Sequence, residues 1–315
     1  MTRQRKKKRG KALLAAAILL AALGGGLALR ATGGEAIPRP FPVESAPQFD
    51  DRGTDAPLEL YSPVALLVEC GGGQVLLSQR GEKRIYPASL TKIMTVLLGI
   101  EALPDWNATV RLPSNFQPLY AANASMAGFL PGEEVRVADL FYGALLPSGA
   151  DACLGIATAV SGSEPAFVER MNRRARELGM EDTHFVNADG LHHPDHYSTA
   201  ADIALLLDSA LQNPAFYRVF TAHSYTTAPN SAHPNGLFLT STLFGVGIPS
   251  QLGGGAIVGG KTGYTEEAGL CLATLLQKGD SRYLLVTAGA PGSHQSAPYH
   301  VEDALNICQN ALPDA

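Results

Sequence analysis

The stretch Pro87-Ala88-Ser89-Leu90-Thr91-Lys92 opens an apolar run, Ile93-Met94-Thr95-Val96-Leu97-Leu98-Gly99-Ile100, and together they predict a helix over residues 89–101. With Ser89 on the first turn, Lys92 comes three residues later and projects from nearly the same face. A serine hydroxyl is a poor nucleophile until a neighbour takes its proton. A lysine does so only where burial or nearby cations push its pKa toward neutrality. The helix N-terminus adds free N–H groups able to stabilise an oxyanion. Alone, Ser-x-x-Lys is a weak signal, more often an N-cap with a solvated lysine after it.

Upstream of this stretch, Val64-Ala65-Leu66-Leu67-Val68, the turn Gly71-Gly72-Gly73 and Gln74-Val75-Leu76-Leu77-Ser78 predict an antiparallel hairpin. Downstream, residues 106–137 read as loop with short strands, and helices come next over 138–146, 151–160 and 164–178. The last of these has Ser163 as N-cap and Pro165 in its first turn. Residues 199–211 place Ile203, Leu206, Leu207, Ala210 and Leu211 on one face, the spacing of an amphipathic helix. Strands over 256–262, 269–277 and 282–289 come after it, and an amphipathic helix at about 297–311 closes the chain. Strands at both ends with helices between them imply a mixed α/β (α+β) domain, one sheet built from the two chain ends plus a helical lobe.

The overall charge of -5 hides an asymmetry: residues 1–33 carry eight Lys/Arg and no acid, which leaves -13 on the remainder. That remainder is a poor surface for nucleic acid and an ordinary one for a soluble domain. Arg3, Arg5, Lys6, Lys7, Lys8, Arg9 and Lys11 precede an uncharged run over 12–29 whose 18 residues, as a helix, just reach a bilayer's hydrocarbon thickness. Basic residues ahead of an apolar segment stay in the cytoplasm and send the downstream chain outside. Residues 1–32 are therefore a cleaved signal peptide or an uncleaved anchor. Only mediocre small-residue cleavage sites stand at Gly24-Gly25-Gly26 and Gly34-Glu35-Ala36, which tilts the reading to an anchor. Pro38, Pro40, Pro42, Pro47 and Pro57 make 33–57 a semi-extended tether, so the folded domain is expected over 58–315.

Cys70, Cys153, Cys271 and Cys308 lack metal-type spacing, so zinc is not expected; four cysteines allow two disulfides in three connectivities or none. His192, His193, Asp195 and His196 suggest a metal set at first glance, but Pro194 interrupts any helix there. Ser198–Asp202 reads instead as a cap on the next helix.

Two further motifs bear on Ser89. Lys261-Thr262-Gly263-Tyr264 ends an apolar strand, where a Lys beside a Thr hydroxyl can hold a carboxylate and the strand edge can pair with an extended peptide. Leu145-Leu146-Pro147-Ser148-Gly149-Ala150-Asp151 sets a serine in a tight turn before a helix, by itself no more than an N-cap. The order Ser-x-x-Lys, Ser-Gly-x, Lys-Thr-Gly, about 60 and 110 residues apart, is that of penicillin-binding proteins and serine β-lactamases. The surroundings resemble the low-molecular-mass D-alanyl-D-alanine carboxypeptidases in particular. The matching stretches are Pro-Ala-Ser-Leu-Thr-Lys-Ile-Met-Thr (87–95), Ser-Gly-x-Asp-Ala (148–152), Phe-Val-Asn-x-x-Gly-Leu-His (185–192), His-Tyr-Ser-Thr-Ala-x-Asp (196–202) and Gly-Lys-Thr-Gly-Tyr-Thr (260–265).

The resemblance implies a β-lactamase/transpeptidase-like fold over roughly residues 58–290. It implies Ser89 as the acylated nucleophile, Lys92 as its base and Ser148 as a proton relay. Lys261 and Thr262 would hold the peptide's terminal carboxylate, while Gly263 and Tyr264 complete the binding strand and the N–H groups of Ser89 and Tyr264 form the oxyanion hole. The implied substrate is a peptidoglycan stem peptide ending in D-Ala-D-Ala, with β-lactams acylating the same serine and no metal or organic cofactor required. One departure stands out. The family's second motif usually ends in Asn, whose amide binds the substrate carbonyl and orients the active-site lysine; here the position is Ala150. Residues 245–258 add a glycine-rich insertion ahead of the third motif. The family's C-terminal β-rich domain and membrane helix are not expected after residue 311, which agrees with an N-terminal anchor. Two alternatives share the fold: a β-lactamase or esterase, against which no Ser-Asp-Asn motif or deacylating Glu is found, and a silenced homologue that binds stem peptides without turning them over.

Overall fold

The computed structural model describes residues 58–313 except 72, 249–251, 253 and 254. The basic flank, the apolar run and the Pro-rich tether lie outside the described residues, and no helix among the described residues is long and apolar enough to cross a membrane.

The first strand, β1 (Val64–Glu69), turns through Gly71 and Gly73, both at positive φ, into β2 (Val75–Gln79), the expected antiparallel hairpin. The chain then leaves the sheet and returns near its end as β7 (Gly255–Thr265), β8 (Gly269–Lys278) and β9 (Ser281–Ala290). The five strands form one antiparallel sheet in the order β2-β1-β9-β8-β7. Val64 pairs with Ala288 and Glu69 with Tyr283, so the first and last strands of the described residues meet inside the sheet and β7 is left as an edge. These strands are almost continuously apolar because both faces are covered. Along β1, Ala65 and Leu67 belong to one core, with Leu272, Leu285 and the helix α8 (Tyr299–Asn310) through Val301, Ala304 and Ile307. Val64, Leu66 and Val68 face the other core, beneath the helical lobe.

That lobe is built around α1 (Lys92–Ala102), whose residues 92–100 are all buried. A helix apolar on every side has to sit at the centre of a bundle. Around it in chain order come the short helix α2 (Gln117–Ala121), α3 (Val137–Leu145), α4 (Ala150–Ser161), α5 (Glu164–Glu177), α6 (Ala200–Leu211) and α7 (Pro214–Phe220). The expected caps are present: Ser163 accepts from the N–H of Ala166 at 3.4 Å and Thr199 from that of Asp202 at 3.0 Å. Two small sheets complete the lobe, β3 (Thr109–Arg111) with β4 (Glu134–Arg136) and β5 (Ser224–Thr226) with β6 (Phe238–Thr240). All four cysteines are free thiols, with Cys153, Cys271 and Cys308 buried as small apolar groups.

Candidate active site

Ser89 lies in a 3-10 turn, Ala88–Thr91, that feeds directly into α1. The turn starts with the N–H of Leu90 bonded to the carbonyl of Pro87 at 3.0 Å, and Ala88 takes a left-handed φ of 47°. Such a conformation costs a non-glycine residue about 1 kcal/mol or more and persists only where the surroundings hold it. What holds it is the loop after α5. Gly190, at φ +84°, passes so close to Ala88 that an added Cβ would lie 1.9 Å from the Ala88 carbonyl oxygen. Only glycine fits there.

The same loop positions Lys92. Its ammonium group, on a side chain only 3% exposed, donates to the Ser89 hydroxyl at 2.9 Å and to the backbone carbonyl of Asp189. The loop is tied down on three sides. Thr95 donates to the Ala188 carbonyl at 2.6 Å, the Ala188 N–H to Glu164 at 3.0 Å, and the Gly190 N–H to the Asn187 side chain at 2.7 Å. A nearby histidine secures the other side of the turn. The Val186 N–H donates to His196 Nδ1 at 3.2 Å, so Nε2 carries the proton and donates to the Thr91 hydroxyl at 2.8 Å. Burial, reinforced by neighbouring histidines and Lys92, holds His196 down at about 3, a neutral structural group. His192 packs edge-on against Tyr86, and His193 lies 3.9 Å from Asp195. Among the described residues no three metal-ligating side chains converge.

β7 forms the opposite wall. A Cβ on Gly263 would stand 3.1 Å from the Ser89 nitrogen and 3.2 Å from the Pro87 carbonyl oxygen, so the third motif lies directly against the nucleophile's backbone. Lys261 is fully buried and donates to the Thr262 carbonyl at 2.7 Å. Burial, together with the charge of Lys92, pushes its ammonium well below the ordinary lysine range. The Thr262 hydroxyl lies 2.6 Å from that of Thr242, and the Tyr264 ring meets His294 edge-on.

The third wall is the start of α4. Ser148 is buried and takes a left-handed φ of 67°; the cap of α4 is Gly149, so Ser148 is not the N-cap that its position alone suggested. Among the described residues its hydroxyl is hydrogen-bonded to neither lysine. Ala150 is 1% exposed, its N–H bonded to the Ser125 carbonyl at 2.8 Å. Asp151 turns away from the cleft and accepts four backbone N–H bonds, from Ala127 (2.8 Å), Gly128 (3.0 Å), Phe129 (3.0 Å) and Ala152 (2.9 Å). Burial pushes its carboxyl up while those four donors pull it down. On the next turn of α4, burial raises the Cys153 thiol to about 12, against the opposing charges of Lys92 and Lys261.

The structure brings together Ser89, Lys92 and the strand that carries Lys261, Thr262, Gly263 and Tyr264. The sequence alone gives Asp189, Gly190, His196 and Thr242 no role at this site. The Asn187-Ala188-Asp189-Gly190 turn signal marks the loop, but nothing in the sequence shows that its carbonyl faces Lys92.

An antiparallel sheet meeting a helical lobe, with a lysine-paired serine between them, defines a protein of the DD-peptidase and penicillin-binding class. The Streptomyces K15 DD-transpeptidase matches with a TM-score of 0.69 at 26% identity, covering 79% of this chain and 96% of that one. Penicillin binding protein 6B of Escherichia coli matches with a TM-score of 0.68 at 28% identity, covering 80% and 77%. The chain belongs to the D-alanyl-D-alanine carboxypeptidase family, peptidase S11, which it matches over residues 51–292. The D-alanyl-D-alanine carboxypeptidase DacF of Bacillus subtilis is 36% identical over 232 residues, 72% of this chain but 57% of that protein. DacD of Escherichia coli is 31% identical over 245 residues, 74% and 60%. The chain therefore spans somewhat under two thirds of the length of these relatives.

Proposed function

We propose that the protein is a serine D-alanyl-D-alanine carboxypeptidase acting on peptidoglycan stem peptides. The observation that carries the reading is the 2.9 Å bond between Lys92 Nζ and Ser89 Oγ, beside a strand edge that approaches the Ser89 backbone. A stem peptide adds to the unpaired edge of β7 with its terminal carboxylate near Thr262. The Ser89 oxygen bonds to the carbonyl carbon of the penultimate D-alanine as its proton passes to Lys92. The N–H groups of Ser89 and Tyr264 take the charge on the carbonyl oxygen. The C–N bond breaks, the leaving amine receives a proton through Ser148, and free D-alanine departs. Water then bonds to the acyl carbon as Lys92 takes one of its protons, the ester C–O bond to Ser89 breaks, and Lys92 passes that proton to the serine oxygen.

Lys92 acts as a base only in its neutral form. A β-lactam presents the same carbonyl and carboxylate and acylates Ser89. Peptidoglycan lies outside the membrane, and the basic flank with the apolar run over 12–29 supplies the means of export and anchoring.

Incubating the full chain with diacetyl-Lys-D-Ala-D-Ala and a fluorescent penicillin tests this. Labelling and D-alanine release are both expected, and both are lost in Ser89→Ala. A Ser89→Ala protein that still releases D-alanine would sink the assignment. Ala150 favours one second reading: with no amide at that position, substrate is bound and acylates slowly. Penicillin labelling without D-alanine release identifies that case, and fast penicillin hydrolysis identifies a lactamase instead.

A further inference from the structure

In the third motif the lysine is the group a ligand reaches least. Lys261 is fully enclosed, and its ammonium is bonded to the carbonyl of its own neighbour. What faces outward is a pair of hydroxyls, half-buried Thr262 and exposed Thr242, with their oxygens 2.6 Å apart. Thr242 arrives from a different segment, two residues beyond β6, and its place does not depend on its side chain. Its backbone N–H donates at 3.0 Å to the carbonyl of Leu146, two residues before Ser148, so one residue links the loop of the second motif to the hydroxyl of the third. We propose that Thr242 is a further substrate-recognition residue, forming with Thr262 a two-hydroxyl clamp for the peptide's terminal carboxylate. The inference rests on the carboxypeptidase reading above and adds a specificity element to it.

Each hydroxyl carries one proton and two lone pairs. At 2.6 Å one proton lies between the two oxygens and the other is free to point into the cleft. A carboxylate arriving there accepts that outward proton, and the inner bond polarises it, so the chain Thr242 to Thr262 to carboxylate is stronger than Thr262 alone. Bonds to an ionised acceptor are roughly twice as strong as neutral ones. The clamp therefore favours a free C-terminal carboxylate over a carboxamide of the same shape. Valine at 242 keeps the volume and the backbone bond to Leu146 but removes the supporting hydroxyl; serine restores the hydroxyl without the methyl.

The test uses the full chain and its Thr242→Val and Thr242→Ser variants. Diacetyl-Lys-D-Ala-D-Ala and its C-terminal amide compete against fluorescent-penicillin labelling, and D-alanine release is measured for the acid. In Thr242→Val the acid is expected to bind about 3- to 10-fold more weakly, the worth of one hydrogen bond. The loss should show in KM rather than kcat, with the amide changed less than about twofold, and Thr242→Ser should recover the acid preference. Parallel loss on both peptides, loss on neither, or no recovery with serine would overturn the role of Thr242. A wild-type chain that neither labels nor releases D-alanine overturns the carboxypeptidase reading itself and this inference with it. A wild-type chain that does both, with an unchanged acid-to-amide ratio in the valine variant, overturns Thr242 alone.

Discussion

Lys261 is the residue at which stability and function pull hardest against each other. A side chain with no exposed surface keeps an amine whose charged form is disfavoured by burial and by Lys92. In the unfolded chain the same lysine holds its proton up to a pKa of about 10.4. Between the depressed folded pKa and that value the unfolded state binds more protons, so native stability rises as pH rises and falls as pH falls. Replacing Lys261 with methionine removes the buried amine while keeping an unbranched apolar stem. The variant is expected to be more stable than the wild type at pH 7, with the gap closing as pH approaches 10 and penicillin labelling much reduced. Urea unfolding at pH 7, 8.5 and 10 reads this out; a gap that stays constant with pH would mean that no titration lies behind it. At this scale the sequence is explicit about types but not about contacts. Ser89 and Lys92 are legible because helical spacing alone brings them to one face. Gly190 and Thr242 are not, because their partners Ala88 and Thr262 are distant in the chain and the approach is set by tertiary packing.

Elements gave up their identity in proportion to length and periodicity. The long helices α5 and α6 and the strands β7, β8 and β9 can be read from pattern and caps, whereas α2 and α7 are too short to show a helical period. The loop 125–130 has no pattern of its own, and its form comes from one carboxylate at the start of α4. Asp151 accepts the N–H groups of three successive residues, Ala127, Gly128 and Phe129, as well as that of Ala152. A sequence reader sees this aspartate as one more polar residue in the first turn of a helix. Asp151→Ala is expected to release the loop at a cost of about 2–4 kcal/mol, since the donors it leaves behind must find water. Hydrogen exchange should show protection lost at Ala127, Gly128 and Phe129 while the amides of α1 stay protected. Because the Ser125 carbonyl in that loop also bonds the Ala150 N–H, penicillin acylation should slow as well. Unchanged protection in the loop would refute Asp151 as its tether.

Over the whole molecule, the feature most readable from sequence is that the sheet is shared by the two ends of the chain, because strands cluster at both ends and helices fill the middle. The device that locks the ends together was hidden. Asp303 on α8, 1% exposed, accepts the backbone N–H groups of Tyr61 and Ser62, each at 2.8 Å, just before β1 begins. Nothing local distinguishes it from the other acids of an amphipathic helix; only the closed sheet carries residues 61 and 62 beneath it. Since β1 lies between β2 and β9, the contact holds a central strand and not a frayed edge. Asp303→Ala should therefore weaken the entire domain by about 2–4 kcal/mol, the loss of two charge-assisted bonds. For a domain of this size that corresponds to a fall in Tm of roughly 5–12 °C. Ser89, Lys92 and Thr262 are untouched by the change, so D-alanine release and penicillin labelling well below the transition should stay within about twofold of wild type. Asp303→Asn, which retains one carbonyl acceptor, should fall between the two. A variant with unchanged Tm but rapid proteolysis ahead of residue 64 would instead show that Asp303 fastens only the entering segment, and that the sheet closes without it.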